Sequence, residues 1–188
     1  MRIISGVYKG KKINQPKDKE TRPLKDLTKE SIFNLISHSN KFDLDLKKSI
    51  VLDIFSGVGS FGIECLSRGA KFVFFFENYN GVLPLLKKNL ISLKSKKNYK
   101  IIEKNVYDKN IFLEVCTKVD IIFLDPPYKD KNIINILKII KDVNLLDKKG
   151  TIILHRHKND KITLPEKYKI IEERKYGISR IFFLNYSN

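Results

Sequence analysis

The sequence predicts an α/β fold, a mostly parallel sheet with helices on both faces, on three observations. Short branched-apolar runs alternate with longer segments of helical period, the pattern of a parallel sheet covered on both sides. One run, Val51 to Phe55, leads through a glycine-rich turn at Gly57-Val58-Gly59 into a helix, and open sheets receive their ligands at such strand ends. Another, Val119 to Leu124, stops at Asp125-Pro126-Pro127-Tyr128, where two prolines forbid further ladder pairing.

Taken in order, Arg2-Ile3-Ile4 and Lys11-Lys12-Ile13 flank Ser5-Gly6 and Lys9-Gly10 and read as an amino-terminal hairpin. Residues 14–25 form a polar loop holding Thr21-Arg22-Pro23. Residues 27–38 are helical, with Ile32, Phe33, Leu35 and Ile36 on one apolar face, and 43–49 link this helix to the sheet. Strands are expected at 50–55, 71–76, 99–103, 119–124 and 150–155, and helices at 60–68, 80–93, 109–117 and 131–141. Tyr168–Arg174 and Arg180–Tyr186, separated by Tyr176-Gly177-Ile178-Ser179, read as an antiparallel hairpin.

A chain of 188 residues is expected to form one domain, 1–188. No apolar run approaches the ~18 residues of a membrane span, and Met1-Arg2 is followed by no signal-like segment, so no membrane partner and a cytoplasmic location are expected. Cys65 and Cys116 lack metal spacing, and Cys65 reads as a small core residue in a reducing compartment. His155 and His157 share a strand face but lack a third ligand; they read as strand-end surface residues, and no metal is expected.

The chemistry is concentrated at strand ends. Asp125, the Pro126 and Pro127 carbonyls and the Tyr128 ring together suit a flat, weakly nucleophilic amine, its hydrogens held by oxygens and its plane stacked on the ring. Gly57, Gly59 and Gly62 satisfy G-x-G-x-x-G, which makes a nicotinamide dinucleotide the competing ligand. Asp53 decides against it. A carboxylate beside a pyrophosphate in a partly dry cleft costs several kcal/mol, whereas S-adenosylmethionine carries a sulfonium and an ammonium and no phosphate. Ser56 and Gly57 belong to the same turn. Glu77, twenty residues after Gly57 at the end of the next strand, stands where an acid accepts from ribose hydroxyls. Asn105 and Val106, after the third strand, are placed to border an adenine ring.

On these segments the chain resembles the RsmD family, bacterial methyltransferases that modify the N2 amine of a guanine in small-subunit ribosomal RNA. The likeness rests on Met1 to Ile13, Thr21-Arg22-Pro23 with Lys29-Glu30-Ser31-Ile32-Phe33-Asn34, Val51 to Ala70, and Asp125 to Tyr128. The resemblance implies a Rossmann-like class I S-adenosylmethionine-dependent methyltransferase: a seven-stranded, mostly parallel sheet with its last strand reversed. It also implies that Thr21 and Arg22 line the cofactor or substrate side of the pocket; from sequence alone a capping or loop-anchoring role competes. Residues 1–25 would then be an RNA-binding hairpin and loop, and 26–188 the catalytic core. The expected partner is 16S rRNA in the small subunit or an assembly intermediate. A DNA adenine or other amino-methyltransferase of the same chemistry and a non-catalytic assembly factor remain as alternatives.

The net charge of +16 suits a nucleic-acid partner, although only six of the 37 basic residues are arginine, a pattern that a lysine-rich coding bias also produces. The hairpin carries a sharper signal. Arg2, Lys9, Lys11 and Lys12, with Tyr8 among them and no acid, are expected to project from the domain and grip phosphates.

Overall fold

The computed structural model describes residues 1–16, 24–94, 98–127 and 129–187. Seven strands form one sheet: β1 (Ile50–Ile54), β2 (Phe72–Phe76), β3 (Tyr99–Ile102), β4 (Val119–Leu124), β5 (Leu146–His157), β6 (Tyr168–Tyr176) and β7 (Ser179–Tyr186). Their spatial order is β3-β2-β1-β4-β5-β7-β6. The first five are mutually parallel, and β7 runs antiparallel to both β5 and β6. The expected mostly parallel sheet with a reversed last strand is the one observed.

The strands are apolar on both faces because both are covered. Val51, Val73, Phe75, Ile121 and Phe123 point into one core, which α1 (Asp26–His38), α2 (Ser60–Ser67) and α3 (Leu83–Ser92) complete. Their strand neighbours Leu52, Phe74, Phe76, Ile122 and Leu124 point into the other, filled by Ile133, Ile136, Leu137 and Ile140 of α4 (Ile133–Asp142). On α2 a Cβ at Gly62 would lie 2.3 Å from the Phe75 ring, so only glycine lets this helix rest directly on the sheet.

Three expectations change. The segment expected to be helical over 109–117 is a 3₁₀ helix, Lys109–Glu114, started by the Asp108 side chain accepting from the Asn110 N–H at 2.9 Å. Strand β5 begins earlier and ends later than 150–155, and its register on β4 jumps from Val119↔Leu146 to Ile121↔Thr151 across a bulge. The amino-terminal hairpin, joined by the Arg2↔Lys12 bridge, does not project: Ile3 and Ile13 are buried in the core beside α1 and α2. A Cβ at Gly6 would fall 1.8 Å from the Ser67 carbonyl oxygen, so its tip is pressed against α2. Among the described residues no helix is long and apolar enough to cross a membrane.

Candidate active site

The carboxyl ends of β1, β2 and β4 open into a cleft of about 770 Å³, within the roughly 300–1,000 Å³ of small-molecule sites. It lies where the strand order reverses, β1 leading outward to β2 and β4 the other way, the crevice in which open α/β sheets bind ligands.

Asp53, Glu77 and Asp125 bring three carboxylates to this cleft from three adjacent strands. Asp53 is 1 % exposed, and its Oδ2 accepts from the Gly62 N–H at 2.9 Å, tying β1 to the first turn of α2. Burial pushes its carboxyl well above the usual range; the Gly62 bond opposes this, while the nearby Asp125 and Glu77 charges reinforce it. The chain leaves β1 through Phe55 at φ 63°, a left-handed conformation that costs a side-chain-bearing residue about 1–2 kcal/mol. That turn brings the Ser56 hydroxyl onto the carbonyls of Asp53 and Phe76, each at 2.9 Å, linking the ends of β1 and β2. Glu77 is drawn back onto the turn: its Oε2 accepts from the Gly57 N–H at 2.7 Å, and its Oε1 from the N–H groups of Asn78 and Tyr79.

Asp125 enters from β4. Its Oδ1 lies 2.8 Å from Nδ1 of His155, whose Nε2 lies 2.9 Å from the Ser179 hydroxyl. Pro126 and Pro127 line the cleft beside it. From the following position on β5, Arg156 donates to the carbonyls of Pro127 at 3.4 Å and Asp130 at 3.0 Å. The Tyr107 hydroxyl donates to the Asp130 carboxylate, and burial followed by that bond pushes the phenol upward.

Of the residues expected to hold the cofactor, Asp53, Ser56, Gly57 and Glu77 line this cleft. Gly59 instead caps α2 at φ 83°. Asn105 does not reach the cleft lining: it is exposed, its side chain accepting from the Tyr107 N–H at 3.0 Å. Val106 is buried in the core under α4. The hydroxyl of Tyr107, the next residue, reaches Asp130, which lines the cleft. Thr21, Arg22 and Tyr128 lie outside the described residues. In the hairpin Arg2, Lys9 and Lys12 are exposed, Tyr8 is half-buried, and the Lys11 ammonium donates to the Ser92 carbonyl. Among the described residues no cluster of histidines, cysteines or acids is arranged to hold a metal ion.

His155 and Ser179 escaped the sequence reading, which placed His155 on the surface. The signal was present: the apolar runs of β4 and β5 end in register at Leu124↔Leu154, so the next residues, Asp125 and His155, sit side by side.

A family model described as Conserved hypothetical protein 95 matches residues 1–185. The chain is 31 % identical over 179 residues to a Haemophilus influenzae protein named ribosomal RNA small subunit methyltransferase D, covering 95 % of this chain and 90 % of that one. It is 34 % identical over 170 residues to a Bacillus subtilis protein named putative rRNA methyltransferase YlbH, covering 88 % and 86 %. Among solved structures, a putative methylase from Haemophilus influenzae superposes with a TM-score of 0.75 at 29 % identity, covering 100 % of this chain and 99 % of that chain.

Proposed function

We infer the function from one premise: the chain belongs to the Conserved hypothetical protein 95 family, the RsmD methyltransferases. It is an S-adenosylmethionine-dependent ribosomal RNA methyltransferase. The finer reading, which is our proposal, is that the acceptor is the exocyclic N2 amine of a guanine in 16S rRNA. The protein would act in the cytoplasm on the small subunit or its precursor. One observation carries it: three carboxylates from adjacent strand ends surround a single cleft whose wall includes Asp125 and Pro126.

The residues fit a cationic donor. Asp53 is costly to ionise where it stands, and a positive group entering the cleft relieves the desolvation and the repulsion from Asp125 and Glu77 together. A diphosphate would add to that repulsion. Glu77 spends three of its roughly four lone-pair sites on backbone N–H groups, leaving capacity for a ribose hydroxyl. When bound, S-adenosylmethionine supplies a methyl carbon on a positive sulfur, which a nitrogen lone pair displaces.

Asp125 and the Pro126 carbonyl act on the other partner. The guanine amine is conjugated with its ring and therefore a weak nucleophile. Hydrogen bonds from its N–H groups to these oxygens favour a pyramidal nitrogen and strengthen as positive charge develops there, so they lower the barrier rather than merely binding the base. Asp125 is then placed to receive the departing proton. Tyr128 stacks on the base, by the same proposal, and holds it in line for transfer. The base must be unpaired or flipped to enter. Thr21 and Arg22 would close the cofactor side, and Arg2, Lys9 and Lys12 would contact RNA phosphates.

The test offers labelled donor to unmodified small subunits, free ribosomal RNA and duplex DNA, and maps the labelled base. Label is expected only on the ribosomal material, at guanine N2. Asp125→Ala should lose most turnover and keep donor binding. Preferential labelling of adenine in DNA would overturn the acceptor assignment.

A further inference from the structure

We propose that His155 is a positioning residue for methyl transfer, fixing the Asp125 carboxylate so that one oxygen is held by the protein and the other meets the acceptor amine. This rests on the reading of Asp125 as the group that receives the amine. The contact is built, not incidental. The side chains of His155 and Asp125 are 9 % and 19 % exposed, and both imidazole nitrogens are engaged. The parallel register of β4 on β5 sets His155 beside Asp125, and the antiparallel pairing His157↔Ser179 carries the Ser179 hydroxyl to the far side of the ring.

A carboxylate only accepts, so Nδ1 carries the proton and donates to Asp125 Oδ1. Nε2 meets the Ser179 hydroxyl, a group that can donate or accept. A histidine oriented in this way by a second hydrogen bond resembles those that position metal-bound or catalytic groups elsewhere.

Two consequences follow for the reaction. Oδ1 of Asp125 is already engaged, so Oδ2 is the oxygen that meets the amine and takes its proton. The carboxylate also has its rotamer fixed before the base arrives, so ordering it costs nothing when the substrate binds. No bond to His155 changes in the transfer. Its loss should therefore lower kcat rather than donor binding.

The experiment compares wild-type protein with His155→Leu, His155→Asn and Ser179→Ala in the labelling assay. It measures kcat, KM for RNA, donor Kd and the thermal midpoint. His155→Leu should lose about 10- to 100-fold in kcat, the scale for removing an orienting partner, with donor Kd unchanged within about threefold. His155→Asn, whose side-chain amide stands close to the position of Nδ1–H, should restore most of that loss. Ser179→Ala, which removes the hydrogen bond at Nε2 but leaves the ring in place, should lose about threefold or more. A folded, donor-binding His155→Leu protein with a kcat loss below about tenfold would refute the proposal. So would His155→Asn proving no better than leucine. If the leucine variant does not fold, Ser179→Ala decides alone, and an unchanged kcat overturns the proposal. Should the wild-type protein label a planar amine other than guanine N2, the acceptor assignment fails, yet the same kcat ratios still decide the role of His155.

Discussion

The Asp53 carboxyl lies 1 % exposed at the end of β1, with the Asp125 and Glu77 charges acting on it and the Gly62 N–H favouring its ionised form. Its folded pKa is raised, whereas an unfolded aspartate titrates near 3.9, an ordinary value. Between those two values the folded chain holds a proton that the unfolded chain has lost. Stability therefore falls as pH rises across that window, and the full cost is present above it. Asp53→Asn removes the charge, and its amide oxygen still accepts from Gly62. The thermal midpoint of this variant should exceed that of the wild type at pH 8, with the gain shrinking toward pH 4. Donor affinity should fall by about tenfold or more, equivalent to roughly 1.4 kcal/mol. Wild-type affinity should itself weaken as pH falls through the same window, because a cation binds the ionised carboxylate. Scanning fluorimetry and titration calorimetry across pH read both effects; a variant without the pH-8 gain in stability contradicts them. A strained functional group of this kind exchanges stability for activity.

Helix α2 does two jobs at once, and its ends explain what the sequence disclosed and what it hid. Its first turn meets Asp53 and the cleft; its back receives the amino-terminal hairpin. Glu64, fully buried on that back, accepts from the N–H groups of Ile4 at 2.8 Å and Ser5 at 2.9 Å and from Arg68 Nε at 2.8 Å. The Lys29 ammonium stands 3.6 Å from Glu64 with no side-chain exposure and donates to the Arg2 carbonyl at 2.8 Å; burial lowers its pKa, and Glu64 opposes the shift. Removing one partner of such a buried pair costs about 3–5 kcal/mol. Glu64→Ala should therefore shift the midpoint of urea unfolding strongly downward, and an unchanged midpoint would show that the pair is solvated. Deleting residues 1–12 strips the same partners from Glu64 and Lys29. Such a deletion should destabilise the core and donor binding, not RNA contact alone. The strands were legible because covering both faces of a sheet demands continuous apolar runs, which survive in one dimension. The glycine turn and Asp125-Pro126-Pro127 were legible because they mark strand ends. Glu64, Lys29 and His155 were not, since each reads as an ordinary surface polar residue until a partner far along the chain arrives. Lys29 and Glu64 meet only when α1 packs on α2, and His155 reaches Asp125 only through the β4–β5 register. Asn105 illustrates a related point: its side chain closes a local turn onto the Tyr107 N–H, an alternative open to short polar side chains after a strand.

At the scale of the whole molecule a net charge of +16 attracts any polyanion, and at physiological salt each exposed charge acts over about 8 Å. Location therefore matters more than total. The hairpin root borders the cleft: the Met1 sulfur lies 2.9 Å from the hydroxyl of Ser60, a cleft-lining residue, while Lys25 and Lys129 also line that cleft. Arg2 and Lys12 stand at this root, whereas Lys9 lies at the hairpin tip against the carboxyl-terminal end of α2. Lys11 is already held by the Ser92 carbonyl, which leaves Arg2, Lys9 and Lys12 exposed for phosphates. Replacing those three with glutamine touches none of the contacts of Glu64 or Lys29, since Arg2 meets Lys29 only through its backbone carbonyl. The triple variant should therefore keep the wild-type thermal midpoint and donor affinity. Its RNA affinity should fall, and the slope of log affinity against log salt should become shallower by about 2–3, given roughly 0.7–0.9 per phosphate contact. Filter binding of ribosomal RNA between low and moderate salt measures that slope. An unchanged slope would move the RNA footprint off the hairpin and onto the lysines at the cleft mouth, where Lys25→Gln and Lys129→Gln would then have to carry the loss.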